Sequence, residues 1–61
     1  MTKLDRLNVL LKELNLPDHR KIVSDSGSNL AWLQKHAGTR NQLSEELQSL
    51  LSLSIHDLMQ V

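Results

Sequence analysis

Leucine spacing constrains the fold of this chain more than any other feature. The sequence has fourteen leucines, and it has no phenylalanine, tyrosine or cysteine. Unbranched and γ-branched side chains favour helices, whereas strands favour β-branched and aromatic residues. Without cysteines, a chain of 61 residues must be stabilised by packing its leucines together rather than by disulfides or zinc–thiolate sites. We therefore predict an all-α fold, a compact single-domain bundle of four to five short helices that spans residues 1–61.

Capping and turn residues mark the first two predicted helices. Thr2 and Asp5 form an approximate capping box that opens a helix over residues 3–14. Its inward-facing stripe consists of Leu4, Leu7, Leu10, Leu11 and Leu14. A proline followed by Asp18 opens a second helix, because proline suits a first helical turn and an acid there meets the positive end of the helix dipole. That helix should end before the turn-forming cluster at residues 24–28.

Three more helices follow from the same signals. Ser28 or Ser26 caps the third helix, and Gly38 is placed to end it. Two further capping boxes, Thr39 with Gln42 and Ser54 with Asp57, open the fourth and fifth helices. The side chains predicted to face inward are Leu30, Leu33, Ala37, Leu43, Leu47, Leu50, Leu51, Ile55, Leu58 and Met59.

Two apolar residues fall away from these stripes. Trp32, the only aromatic residue, lies about 100° around the helix from the centre of the Leu30, Leu33 and Ala37 face. We therefore predict that Trp32 flanks the core and is partly buried. Val9 falls on the outer face of the first helix, where it is either an ordinary exposed residue or part of a dimer contact.

No motif in the sequence predicts catalysis, a metal or a cofactor. The three histidines, His19, His36 and His56, lack the spacing of a zinc pair. The segment from Asp25 to Asn29 lacks the acids of a calcium loop. Neither a nucleophile elbow nor a phosphate-cradling loop is present, so we expect a non-enzymatic binding protein.

Charge and hydropathy narrow the class of partner. Seven basic residues balance seven acidic ones, which gives no strong electrostatic preference for nucleic acid. Residues 1–40 nevertheless carry all seven basic residues and four acidic ones, whereas residues 41–61 carry three acidic residues and no basic one. The longest apolar run, residues 9–11, is too short for a membrane span, so we expect a soluble, cytoplasmic protein without a membrane partner.

The C-terminal third combines a glycine, a short polar loop, a leucine-rich helix and a serine-capped last helix. It reads Gly38, Thr39, Arg40, Asn41, then Leu43, Leu47, Leu50 and Leu51, then Leu53, Ser54, Ile55, His56, Asp57, Leu58 and Met59. In this order, residues 38–60 resemble the second half of Cro and lambda-repressor-like helix-turn-helix domains. The resemblance implies a small DNA-binding transcriptional regulator with its helix-turn-helix at residues 18–37.

Carried over by position, the resemblance makes residues 28–37 the recognition helix. The side chains that it implies would meet bases are Ser28, Asn29, Ala31 and Gln34. Those that it implies would lie near the phosphate backbone are Arg20, Lys21, Lys35, Arg40 and Asn41. The first half departs from the family pattern, since Val23 stands where members usually have alanine and Ser28 where they have an apolar residue.

Two other binding functions remain open at the level of sequence. One is a protein-interaction module, such as an antitoxin-like or phage accessory factor. Its apolar contacts would be Val9, Trp32 and Val61, rimmed by the acidic fourth helix. The other is a self-assembling bundle in which a homodimer completes the core.

Overall fold

Five helices and no strand make up the part of the chain that the structure, a computed structural model, describes: residues 1–36 and 43–60. The helices are α1 (Lys3–Glu13), α2 (His19–Ser26), α3 (Asn29–Lys35), α4 (Glu45–Leu51) and α5 (Ile55–Leu58). The predicted all-α class is confirmed. Helix α1 packs against α2, α4 and α5, and α3 packs against α2 and α4.

Each of the five described helices begins at a side-chain cap. The capping residues are Thr2, Asp18, Ser28, Ser44 and Ser54, and in each case a side-chain oxygen accepts the backbone N–H three residues later. The predicted box of Thr2 and Asp5 is complete, because the Thr2 N–H also donates to the Asp5 carboxylate at 3.0 Å. These bonds from Thr2, the backbone bond first, lower the pKa of Asp5 below its ordinary value.

Positive-φ residues end the first two helices. Leu14 caps the end of α1 and is followed by Asn15. The φ of Asn15 is 58°, which is not a helical value, so the helix ends before it. Leu14 is therefore exposed rather than part of the inward stripe. Helix α2 continues to Ser26, beyond its predicted end, because the first residue that leaves the helix is Gly27 with a φ of 88°. Asp18 is the N-cap of α2, so the preceding proline stands outside the helix.

Helix α4 begins later than the capping pattern suggested. Its N-cap is Ser44, and Leu43 precedes the helix while still being buried. The predicted opening at Thr39 and Gln42, and the predicted stop at Gly38, lie outside the described residues.

The described core is leucine-rich and receives side chains from all five helices. Its members are Leu7, Leu10, Leu11, Ile22, Trp32, Leu33, Leu43, Leu47, Leu50, Leu51 and Leu58. The radius of gyration is 10.5 Å, which matches the roughly 10 to 11 Å of a folded chain of this length. Leucine packing therefore closes the bundle as predicted.

Helix α3 is turned differently from the prediction. Trp32 is only 4% exposed, whereas Leu30, which was expected to face inward, is 49% exposed. The buried side of α3 consists of Asn29, Trp32 and Leu33, which are spaced as one helical face. Burying the large indole removes more apolar surface from water than burying Leu30 would, which favours this rotation. The predictions of a partly buried Trp32 at the edge of the core and of an inward Leu30 are both wrong.

The short last helix buries one side chain. Leu58 is fully buried, but Ile55 is 55% exposed and Met59 is also exposed. A four-residue helix makes little more than one turn, so it presents only one of these positions to the core. The prediction that Ile55 and Met59 face inward is therefore wrong.

A bidentate ion pair joins the basic and acidic halves of the chain. Arg6 on α1 donates from Nε and Nη2 to the two carboxylate oxygens of Glu46 on α4, both at 3.0 Å. This hydrogen bonding lowers the pKa of Glu46 and raises that of Arg6. Because both side chains are exposed, the pair adds little to the free energy of unfolding. Its main effect is on how α1 and α4 are oriented relative to each other.

The orientation of α3 can be tested with two leucines of the same helix. Leu33→Ala removes a side chain that is 2% exposed and should cost about 2 to 5 kcal/mol of unfolding free energy. Leu30→Ala should cost less than about 1 kcal/mol, because Leu30 is half exposed. Urea unfolding followed by circular dichroism at 222 nm measures both. Equal losses would contradict the orientation of α3.

The ion pair predicts a specific pH effect. Arg6 lowers the pKa of Glu46 in the folded state. The contribution of the ion pair to the free energy of unfolding is therefore fully present above the unfolded-state pKa of Glu46, and it is lost as the pH falls through the lowered folded-state pKa. In Arg6→Gln, the pKa of Glu46 should rise toward its ordinary value, as measured by carbon-detected NMR titration of the side-chain carboxyl. Lys12→Gln, on the same helix, should leave the pKa lowered. An unchanged pKa in Arg6→Gln would show that the pair does not form in solution.

Candidate nucleic-acid interface

Helices α2 and α3 are consecutive in the chain, pack against each other and are joined by a short turn; we call them the α2–α3 unit. Between the end of α2 and the start of α3 lie only Gly27 and Ser28. The Gly27 N–H donates to the Val23 carbonyl at 2.8 Å, and Ser28 Oγ accepts the Ala31 N–H at 3.1 Å. Short connections that contain glycine are typical of helix-turn-helix motifs.

Helix α3 presents a polar outer face. Ser28, Gln34 and Lys35 are exposed, and Ala31 is half-buried. Because Ser28, Ala31 and Lys35 follow helical spacing, they lie along one row. We define these four residues as the α3 outer face. Its side chains near the turn are small, so another molecule can approach the backbone of α3 closely there.

Asn29 lies on the opposite, buried side of α3. The resemblance placed it among the residues that meet bases, but the side chain is only 7% exposed and lies on the same face as Trp32 and Leu33. No described residue makes a hydrogen bond with its Oδ1 atom. Asn29 is therefore not part of the α3 outer face.

Trp32 is likewise unavailable as a surface anchor. Its indole is buried and stacks on the His36 ring at a centroid distance of 4.1 Å. The His36 Nδ1 lies 2.9 Å from the Trp32 carbonyl oxygen, which helps to hold the stack. Of the three residues predicted to contact a protein partner, Val9 is exposed as expected, Trp32 is in the core, and Val61 lies outside the described residues.

Three exposed cations belong to the α2–α3 unit. Arg20 and Lys21 lie in the first turn of α2, and Lys35 ends α3. The Lys21 ammonium pairs with Asp25 at 3.4 Å, four residues along α2. The Asp18 carboxylate accepts the Lys21 backbone N–H, so its charge lies at the positive end of α2. Arg40 and Asn41, also predicted to lie near phosphates, are outside the described residues.

Within residues 1–36 and 43–60, no group of three or more histidine, cysteine or acidic side chains is placed to hold a metal ion. In the same part of the chain, no helix has the length and apolar character needed to cross a membrane.

Sequence reasoning missed the exposed apolar pair Leu30 and Ile55. Both line a groove between the α2–α3 turn and the α4–α5 turn. The helical spacing of Asn29, Trp32 and Leu33 could have predicted the exposure of Leu30, because a buried face centred on Trp32 leaves Leu30 at the surface. The apolar character of Leu30 obscured that alternative.

No family model, curated protein sequence or solved structure matches this chain.

The glycine between α2 and α3 gives a test of the turn geometry. A Cβ added at Gly27 would meet no atom within 4 Å, so Gly27→Ala would be penalised by its positive φ alone. We expect a loss of about 1 to 2 kcal/mol in unfolding free energy. Ser24→Ala, on the exposed side of α2, should change stability by less than about 0.5 kcal/mol. An increase in stability for Gly27→Ala would contradict the left-handed turn.

Proposed function

We propose that this chain is a DNA-binding regulator of transcription, in which the α3 outer face enters the major groove of duplex DNA. The observation that carries the proposal is the division of α3 into two sides. Trp32 and Leu33 anchor the helix in the core, while Gln34 and Lys35 stay exposed. The unit is compact because two residues connect α3 to α2, which carries two exposed cations of its own.

Base contacts would come from the exposed part of α3. The Gln34 amide both donates and accepts hydrogen bonds, and it matches the N6 and N7 pattern of adenine. The Ser28 oxygen already accepts the Ala31 N–H, which leaves the hydroxyl proton to donate to a base or phosphate. The Ala31 methyl group suits contact with a thymine methyl group.

Phosphate contacts would come from the cations around this face. Arg20 and Lys35 have no ion pair among the contacts of the described residues, whereas Lys21 is partly neutralised by Asp25. Arg40 and Asn41 stay predictions from the resemblance. Because the whole chain has no net charge, binding by one copy would be weak, and a homodimer would double the phosphate contacts. A function on DNA also agrees with the expected cytoplasmic location.

The salt dependence of binding to a mixed-sequence duplex tests the proposal. Three phosphate contacts, one from each exposed cation of α2 and α3, predict a slope of about −2.7 when the logarithm of the association constant is plotted against the logarithm of salt concentration. The association constant should then fall about 40-fold between 50 and 200 mM salt. Lys35→Ala and Arg20→Ala should each make the slope shallower by about 0.9. Fluorescence anisotropy with a labelled duplex measures both.

Lys3→Ala is the matched control, since it removes one exposed cation from α1 rather than from the α2–α3 unit. Its slope should equal that of the parent chain, and circular dichroism should show the same helicity in all variants. Binding that is independent of salt, or equally weakened by all three substitutions, would refute the proposed face.

A further inference from the structure

A groove of 530 Å³ lies between the α2–α3 turn and the α4–α5 turn. Its apolar lining comes from Val23, Leu30, Leu53 and Ile55, and its polar lining includes Ser28 and Asn29. Leu30 and Ile55 are among the most exposed large apolar residues that the structure describes. The His19 imidazole is the one titratable group among the described residues that line it, and no carboxylate, ammonium or guanidinium group is among them, so the groove offers no fixed charge to pair with a charged occupant.

Asn29 gives this groove an unmet hydrogen-bonding demand. The side chain lines the groove, is more than nine-tenths buried and has an Oδ1 atom without a partner among the described residues. An unsatisfied buried acceptor is unfavourable, and such groups are rare in folded proteins. An apolar residue at this position would avoid the penalty. The demand would be met by an occupant that donates an N–H group.

Three serine hydroxyl groups line the groove, and two of them, those of Ser28 and Ser54, have a proton left to donate. The oxygens of Ser28 and Ser54 accept the capping N–H groups of Ala31 and Asp57, at 3.1 and 3.2 Å. Both residues line the groove, and each hydroxyl proton is left to donate to an occupant. The Ser52 hydroxyl already donates to the Gln48 carbonyl at 3.0 Å, so beside the His19 imidazole the groove has Asn29 Oδ1 as an acceptor without a partner and the Ser28 and Ser54 hydroxyls as donors. A peptide group next to an apolar side chain has the matching set, one N–H and one carbonyl oxygen.

We propose that this groove binds a short, uncharged peptide segment of a protein partner. An apolar side chain of the segment contacts Leu30 and Ile55, and a backbone N–H donates to Asn29 Oδ1. Because Oδ1 lies below the surface, the Asn29 side chain turns toward the segment when the bond forms, a rotamer change that is common at interfaces. This site differs from the α3 outer face, with which it shares only Ser28.

NMR titration of the full isotope-labelled chain with N-acetyl-leucine N-methylamide tests the proposal. This probe carries one apolar side chain and two peptide groups. We expect saturable shifts of the Asn29 side-chain amide and of the Leu30 and Ile55 methyl groups, with a Kd on the order of 1 mM. The fully N-methylated probe, which has no N–H donor, should bind about fivefold more weakly.

Three substitutions distinguish binding in the groove from non-specific hydrophobic binding of the probe. Ile55→Glu, at an exposed position, should abolish the shifts, whereas Val9→Glu, at an exposed apolar position on α1, should leave them unchanged. Asn29→Leu should raise the urea midpoint of unfolding and weaken binding of the probe about fivefold. The titration contains no DNA, so its result does not depend on the proposed function.

Several outcomes would overturn the proposal. These are the absence of saturable shifts, equal binding of the two probes, and equal binding by Asn29→Leu. Shifts of the groove residues that depend on protein concentration without probe would instead assign the groove to a second copy of the chain.

Discussion

Burial of the Trp32 indole sets the orientation of α3, and the apolar lining of the proposed groove depends on that orientation. With Trp32 and Leu33 packed into the leucine core, the helix must place Leu30 at the surface beside the groove. The same rotation brings Asn29 to the buried side, while Ser28 and Lys35 stay exposed on the other side of the helix. An α3 centred on Leu30 would bury Leu30 and bring Trp32 out of the core, which would remove Leu30 from the groove.

The helices are too short to be stable by propensity alone. Helices α3 and α4 have seven residues each and α5 has four, whereas isolated helices need about 12 to 15 residues to form in water. Each therefore depends on its N-cap and on the core together. Caps satisfy the free N–H groups at the helix starts, and packing supplies the larger stabilisation. The Arg6–Glu46 pair helps to orient α1 relative to α4, and because both side chains stay exposed, forming the pair requires little desolvation.

Features encoded within three or four residues could be predicted from the sequence. The Thr2–Asp5 box and the caps at Ser28 and Ser54 are examples, since the interacting groups are neighbours in the chain. The side of a short helix that is buried could not be predicted in the same way. Two faces of α3 were possible, one through Leu30 and one through Trp32. Periodicity over two turns does not separate them, so packing against α2 and α4 decides.

The candidate site shows the same division. Exposure of Ser28, Gln34 and Lys35 agrees with the implied recognition helix, because residues on that side of α3 are polar whichever apolar face is buried. Asn29 does not agree, since its burial follows from its position one turn before Trp32 and Leu33. The groove could not be predicted at all, because its two walls come from turns that are far apart in the chain.

Ser28 physically connects the two proposed activities. Its hydroxyl oxygen is committed to capping α3 through the Ala31 N–H, so one proton is left to donate. That proton can point toward the α3 outer face or toward the groove, but not toward both at once. Occupation of one surface would therefore remove a single hydrogen bond from the other. A neutral hydrogen bond contributes about 1 kcal/mol, so the coupling would change either affinity by no more than about fivefold. The two surfaces are thus expected to function nearly independently, even though they share a residue.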